Sequence, residues 1–144
     1  MAIDKNSILD AIYFNSASRA RSLIPPSSWA YNSSIKEVSY NPIKAKELLN
    51  QANIPAGFKM TLWAMPVVRA YNPNAKRMAQ LIKNYLAAVD VDVTVVTYDW
   101  HAFRDKLSQG EHDSVLIGWS ADNGDPDNFY RPLVSVFRGS FRDL

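Results

Sequence analysis

The sequence predicts an α/β domain in which a mainly parallel sheet lies between layers of helices. Three apolar, strand-like runs alternate with two helical patterns between residues 58 and 119. Strands that alternate with helices are typical of parallel sheets with right-handed crossover connections. The clearest strand is residues 91–98, where β-branched side chains dominate. A three-layer α/β lobe is therefore expected.

The first third of the chain contains two predicted helices separated by a long connection. Asp4 can cap a helix over residues 5–14, whose apolar side chains recur at helical spacing. Residues 15–34 are rich in serine and proline and predict an irregular segment that lies on the surface or against a partner domain. Asn41 followed by Pro42 predicts the start of a helix over residues 42–52.

The alternating elements follow. Residues 59–65 predict a strand between the turn at Gly57 and Pro66. Asn72-Pro73 predicts the start of the next helix, and apolar side chains keep the helical period up to Val89.

After the strand at 91–98, Asp99 is expected to cap a helix that carries Trp100 and ends at Gly110. Residues 114–119 then predict the third strand. Trp63 and Trp100 are interpreted as core residues, because a tryptophan in a strand or at a helix start is usually buried.

Composition excludes several classes of function. At 144 residues the chain is expected to form a single domain over residues 1–144. The 16 basic and 14 acidic side chains are scattered, so no nucleic-acid-binding surface is predicted. Without cysteine, disulfides and thiolate metal sites are impossible. No apolar run is long enough to cross a bilayer, and residues 1–5 do not begin a signal peptide. Residues 137–144 show no closing element, which suggests a piece of a longer protein.

The segment from Gly118 to Phe129 is the most informative part of the sequence. Asp125 directly before Pro126 predicts a helix start, and Asp127 would fall in the first helical turn, where the dipole favours a negative charge. Asp122 has no such structural explanation. It follows a strand at the edge where α/β folds bind their ligands, so it is the first candidate binding residue.

Other chemistries fit this segment poorly. Ser120 and Asp122 resemble a hydrolase nucleophile turn, but Asp122 replaces the second glycine and neither His101 nor His112 has a predictable triad position. The segment lacks the ligand pattern of a calcium loop, and the histidines lack zinc-ligand spacing. We therefore predict no metal and no cofactor. Hydrolysis remains an alternative, as does a protein-interaction module.

Several motifs together resemble one family, the extracytoplasmic solute-binding proteins of peptide ABC transporters (family 5). The likeness is closest to the dipeptide-binding and Sap-type antimicrobial-peptide-binding members, and it covers the chain to about Phe129. The motifs that carry it are Ala2-Ile3-Asp4-Lys5, Ile24-Pro25-Pro26, Tyr40-Asn41-Pro42 with Lys46-Leu48-Leu49, Leu62-Trp63-Ala64-Met65-Pro66, Arg69 with Tyr71-Asn72-Pro73-Asn74, Gly110-Glu111-His112, Gly118-Trp119 and Asp122-Asn123-Gly124-Asp125-Pro126-Asp127-Asn128-Phe129.

The resemblance implies one lobe of a periplasmic-binding-protein type II-like fold. In that family two lobes close over a peptide, and this chain matches most of the second lobe, without the first. By resemblance, Asp122 takes the α-ammonium of the peptide and Arg69 takes its free carboxylate. The backbone of Gly118 to Ser120 pairs with the peptide main chain, and Trp119 flanks the ligand side chains. The implied function is non-catalytic capture of short peptides in the periplasm and delivery to an inner-membrane ABC permease.

The physical chemistry agrees with that role. An ammonium and a carboxylate are the charges that all short peptides share, so an acid and an arginine can recognise peptides regardless of side chain. Arg69 beside Pro66 could equally be a surface charge. Asp90 occupies a position where relatives usually have glycine, which predicts a small stability cost, and residues 130–137 depart from the dipeptide-binding pattern. The ligand could be a dipeptide, an antimicrobial peptide or haem.

Overall fold

A computed structural model describes residues 1–14 and 16–134. The predicted C-terminal features in residues 135–144 lie outside these described residues. In chain order the elements are α1 (Lys5–Ile8), which continues as a π-helix (Leu9–Tyr13), α2 (Pro42–Gln51), β1 (Phe58–Ala64), α3 (Ala75–Ala87), β2 (Val91–Val96), α4 (Trp100–Gln109), β3 (Ser114–Leu116) and α5 (Asp127–Val134).

The three strands form a parallel sheet in the order β2-β1-β3. Phe58 on β1 aligns with Val91 on β2, and Leu62 aligns with Ser114 on β3. Crossovers between parallel strands are right-handed in almost all proteins. Because β2 and β3 lie on opposite sides of β1, crossovers of that hand place α3 and α4 on opposite faces of the sheet. The predicted α/β class and the three-layer arrangement are confirmed.

Trp63 on β1 lies at the centre of the core and is 2% exposed. Its ring centroid is 5.0 Å from that of Tyr98, 5.8 Å from that of Phe103 on α4, and 5.6 Å from that of His112. Small and branched residues of α3 and β2 complete the buried cluster. The prediction of Trp63 as a core residue is confirmed.

The predicted helix caps are confirmed at three positions. The side-chain oxygen of Asp4 accepts a hydrogen bond from the N–H of Asn6 at 3.0 Å. Asn41 accepts from the N–H of Lys44 at 2.8 Å, and Asp99 accepts from that of Ala102 at 3.1 Å. Gly110 ends α4 with a positive φ of 72°, the backbone conformation in which glycine is favoured.

The predicted start of α3 at Asn72-Pro73 is wrong. Asn74 is the cap, because its side-chain oxygen accepts the N–H of Arg77 at 3.0 Å and the helix begins at Ala75. Asn72 instead closes a tight turn with Arg69: the backbone N–H of each residue donates to the carbonyl of the other, at 3.0 and 3.2 Å. The sequence contains asparagine on both sides of the proline, and only the folded turn decides which one caps.

The third strand is shorter than predicted. It ends at Leu116, which aligns with Ala64, the last residue of β1. Because β1 ends at Ala64, residues 117–119 have no partner residues in β1 and are not part of the sheet. Asp90 has a φ of 62°, the left-handed conformation in which glycine is favoured, and this is the position where a small stability cost is predicted.

Candidate functional site

The candidate site lies at the edge where the three parallel strands end. Residues 65–74 follow β1, Trp100 begins the helix after β2, and residues 117–126 follow β3. Arg69 belongs to the first connection, and Gly118, Trp119, Ser120 and Asp122 belong to the third. Because β1 and β3 are hydrogen-bonded neighbours, the two connections leave the sheet side by side.

Arg69 is partly buried and lies over an aromatic ring. Its guanidinium carbon is 5.1 Å from the centroid of the Trp100 ring. One guanidinium N–H donates to the carbonyl of Val68 at 3.2 Å, and the backbone is fixed by the turn with Asn72. Within residues 1–14 and 16–134, Arg69 makes no salt bridge, so its charge is free to meet an anionic group.

Gly118 lies against the ring of Tyr71, so the two connections touch. A Cβ built on Gly118 would come within 2.5 Å of Cδ2 of Tyr71. The backbone carbonyl of Tyr71 accepts a hydrogen bond from the hydroxyl of Tyr13 at 2.7 Å, and its own hydroxyl lies 3.8 Å from Sδ of Met65. Sequence reasoning did not assign Tyr71 a role, because a contact between two loops leaves no periodic signal.

Asn128 organises the loop that carries Trp119 and Asp122. Its side-chain oxygen accepts a hydrogen bond from the indole N–H of Trp119 at 2.8 Å and from the backbone N–H of Asp122 at 3.3 Å. One carboxamide from α5 therefore fixes both predicted residues. Sequence analysis did not assign a role to Asn128, although an asparagine in a first helical turn is a recognisable source of such bonds.

The carboxylates of Asp122 and Asp125 differ in their hydrogen-bond partners. The carboxylate of Asp125 accepts the backbone N–H of Asp127 at 2.9 Å, which confirms its predicted role at the helix start, although α5 begins at Asp127 itself. The side chain of Asp122 is exposed and makes no hydrogen bond or salt bridge in the part of the chain that the structure describes. Asp122 is thus available to a cation from solution.

The geometry gives no support to the hydrolase alternative at Ser120. His112 packs on Trp63, and the buried Nδ1 atom of His112 has no hydrogen-bond partner in the described chain. His101 is exposed on α4, with Nδ1 3.1 Å from the carboxylate of Asp105. Neither histidine is hydrogen-bonded to Ser120, which nucleophilic activation of that hydroxyl would need.

Two groups with shifted pKa values, His112 and Asp113, lie at the opposite end of β3 from the candidate site. The carboxylate of Asp113 accepts the backbone N–H of Thr61 at 2.7 Å and its hydroxyl at 2.9 Å, and these bonds lower the pKa of Asp113. Burial lowers the pKa of the neighbouring His112, and the charge of Asp113 opposes that shift. These groups join the strands and lie away from the candidate site.

A groove of 640 Å³ extends from Gly118 and Trp119 under the connection between residues 18 and 31. Its walls also include Tyr71 and Phe129. Across residues 1–14 and 16–134, no three histidine, aspartate or glutamate side chains are grouped as metal ligands. The helices in these ranges are too short or too polar to cross a lipid bilayer.

Comparison with known proteins identifies close relatives. The family model described as bacterial extracellular solute-binding proteins, family 5 middle, matches residues 1–141. The dipeptide-binding protein of Escherichia coli K12 is 46% identical over 134 residues, and the match covers 93% of this chain and 25% of that protein. Heme-binding protein A of Haemophilus influenzae is 45% identical over 133 residues, which cover 92% of this chain and 24% of that protein.

The fold is shared with a solved structure of the same kind. The crystal structure of a dipeptide-binding protein from Pseudoalteromonas sp. SM9913 in complex with Met-Leu has a TM-score of 0.90 and 45% identity, and the match covers 97% of this chain and 27% of that one. This chain thus spans about a quarter of the length of the relatives it matches.

Proposed function

This chain belongs to the bacterial extracellular solute-binding proteins of family 5, and we propose that it is part of the second lobe of a periplasmic receptor that captures short peptides and delivers them to an ABC permease. Residues 1–144 act as one domain of that receptor, and the first lobe supplies the facing contacts. The chemistry is reversible binding without catalysis.

The observation that carries this proposal is a pair of unneutralised charges at one edge of the sheet. Asp122 follows β3 and Arg69 follows β1, and neither forms a salt bridge within the described residues. Some charged side chains elsewhere are paired, such as Lys46 with Asp90 at 2.6 Å. Asp122 and Arg69 are distinguished by their place on neighbouring connections at the ends of β3 and β1. An acid and an arginine on neighbouring connections suit the two termini of one short peptide.

Each residue takes the role its chemistry allows. The carboxylate of Asp122 binds the peptide ammonium, and the planar guanidinium of Arg69 binds both oxygens of the free carboxylate. Backbone groups of Gly118 to Ser120, which leave the sheet without a neighbouring strand, hydrogen-bond to the peptide main chain. Trp119, held by Asn128, lies beside the ligand side chains.

The experiment is a calorimetric titration, with Met-Leu, of the receptor that contains this chain, because the first lobe supplies the facing contacts. Met-Leu is the dipeptide in the relative's crystal structure. N-acetyl-Met-Leu and Met-Leu amide each remove one terminal charge. A charge-assisted hydrogen bond contributes about 1.5–3 kcal/mol, so either modification should weaken binding roughly 10- to 150-fold. Asp122→Asn should weaken the binding of Met-Leu by a similar factor and leave the affinity for N-acetyl-Met-Leu unchanged.

Asp127→Asn is the matched control, because it removes a carboxylate only five residues further along the chain, in the first turn of α5. Equal binding of Met-Leu to wild-type protein and Asp122→Asn contradicts the proposal, and release of free methionine and leucine supports the hydrolase alternative. Because one relative is named a heme-binding protein, hemin is titrated in parallel. Tight hemin binding with no response to Met-Leu would replace the peptide by haem as the cargo.

A further inference from the structure

Arg69 lies at the outer end of a column of aromatic rings. Its guanidinium carbon is 5.1 Å from the centroid of Trp100. The Trp100 ring stacks on Phe103, with centroids 5.8 Å apart and planes 17° apart, and Phe103 packs on Trp63 at 5.8 Å. Phe103 is fully buried. The core thus fixes Trp100 from beneath, and Trp100 presents a ring to the arginine.

Such a stack orients a guanidinium without using its hydrogen-bonding edges. The group attracts the ring through its flat face, whereas its N–H donors lie in its plane. One donor is engaged by the carbonyl of Val68, and the guanidinium has no other hydrogen-bond or salt-bridge partner within residues 1–14 and 16–134. A flexible arginine would lose side-chain entropy on binding a carboxylate, and an arginine already stacked loses less.

We infer that Trp100 is a positioning residue for peptide recognition: its ring holds the Arg69 guanidinium in the orientation that receives the ligand's free carboxylate. This inference rests on the proposed role of Arg69. It assigns to Trp100 an effect on one end of the ligand only. A tryptophan that merely filled space would affect all ligands through stability.

The test compares Trp100→Leu and Trp100→Phe with the wild-type protein, each in the receptor that contains this chain. Leucine keeps a smaller apolar contact with Phe103 but removes the aromatic ring, and phenylalanine restores a ring. Met-Leu should bind Trp100→Leu up to about tenfold more weakly, because an arginine that is no longer held by the ring pays the ordering cost of an immobilised side chain, while the affinity for Met-Leu amide stays the same. Trp100→Phe should recover most of the loss. Trp29→Leu is the matched control, because Trp29 is 82% exposed in the long connection.

A second readout needs no ligand. In the ¹H–¹⁵N NMR spectrum, the Nε–H proton of Arg69 should show a ring-current shift, since its guanidinium lies over Trp100. The shift should disappear in Trp100→Leu, persist in Trp100→Phe and be unaffected in Trp29→Leu. An Arg69 signal that does not respond to Trp100→Leu contradicts the stack itself.

The outcomes separate this inference from the proposed function. If Met-Leu and Met-Leu amide bind equally and Arg69→Gln changes neither, the role of Arg69 fails, and the inferred role of Trp100 fails with it. If Arg69→Gln abolishes the preference for the free carboxylate but Trp100→Leu preserves it, the proposed function stands and the inference is wrong. If both variants abolish it, and the double variant is no weaker than Arg69→Gln, Trp100 acts through Arg69.

Discussion

Tyr71 covers Gly118 so closely that no side chain fits between them: a Cβ on Gly118 would lie 2.5 Å from Cδ2, 2.8 Å from Cε2 and 2.9 Å from Cγ of the ring. The connection after β1 and the connection after β3 meet at this contact. The positions of Arg69 and Trp119 are therefore coupled through the contact between their neighbours Tyr71 and Gly118.

Gly118→Ala should destabilise the protein by about 1–3 kcal/mol, because the added methyl group forces the anchored Tyr71 ring to move. Urea unfolding measures this as a lower midpoint with an unchanged slope. Gly124→Ala is the control, since a Cβ at Gly124 meets nothing within 4 Å. Equal midpoints for the two variants would show that the contact is not tight in solution.

Asn128→Ala should loosen the loop that carries Trp119 and Asp122. The substitution removes the acceptor of two hydrogen bonds, and the partly buried indole N–H loses its partner, at a cost of about 1–3 kcal/mol. Denaturation monitored by tryptophan fluorescence measures the loss. Asn128→Asp keeps a side-chain oxygen at the same place and should retain most of the stability; a loss as large as that of alanine would contradict the assigned bonds.

The free energy of unfolding should fall as the pH decreases below about 6.5 because of His112. Burial against Trp63 lowers the pKa of His112 in the folded state below its ordinary value of 6.5, so the unfolded chain binds the proton more readily. The contribution of neutral His112 to the free energy of unfolding is complete above pH 6.5, and it is lost as the pH falls through the folded-state pKa of His112.

His112→Leu should flatten that part of the stability profile, measured by urea unfolding at a series of pH values. His101→Gln removes the other histidine, whose side chain is 89% exposed, and controls for general effects of substitution. The hydrogen-bonded carboxylates Asp4 and Asp113 have lowered pKa values, so they change the free energy of unfolding at more acidic pH than His112 does. An unchanged slope in His112→Leu would rule His112 out as the cause.

Asp90→Ala should be less stable than Asp90→Gly by about 1 kcal/mol. Both substitutions remove the salt bridge with Lys46, so the difference isolates the backbone, which has a φ of 62° at this position. An L-residue pays steric strain there that glycine avoids, although glycine also gains entropy in the unfolded chain. Thermal and urea unfolding of the pair give the comparison, and alanine at least as stable as glycine would show that the left-handed conformation carries little strain.

The sequence by itself determined the elements and their order. Capping side chains such as Asp4, Asn41 and Asp99 satisfy N–H groups only two or three residues away, and apolar periodicity marks a buried face within one element. These signals are local, so the α/β class and the parallel sheet could be predicted. Asp122 could also be named as a candidate from the sequence, because it is a carboxylate after a strand that no helix start explains, whereas Arg69 was named through the family resemblance.

Only the tertiary structure decided where β3 ends, which asparagine caps α3, and what surrounds the candidate residues. The strand ends at Leu116 because its neighbour β1 ends at Ala64, and a partner strand is not visible in either segment alone. The contacts of Gly118 with Tyr71, Trp119 with Asn128 and Arg69 with Trp100 join residues from separate connections. Such contacts depend on how strands and helices pack, and a linear pattern does not record the distance between residues that are far apart in the chain.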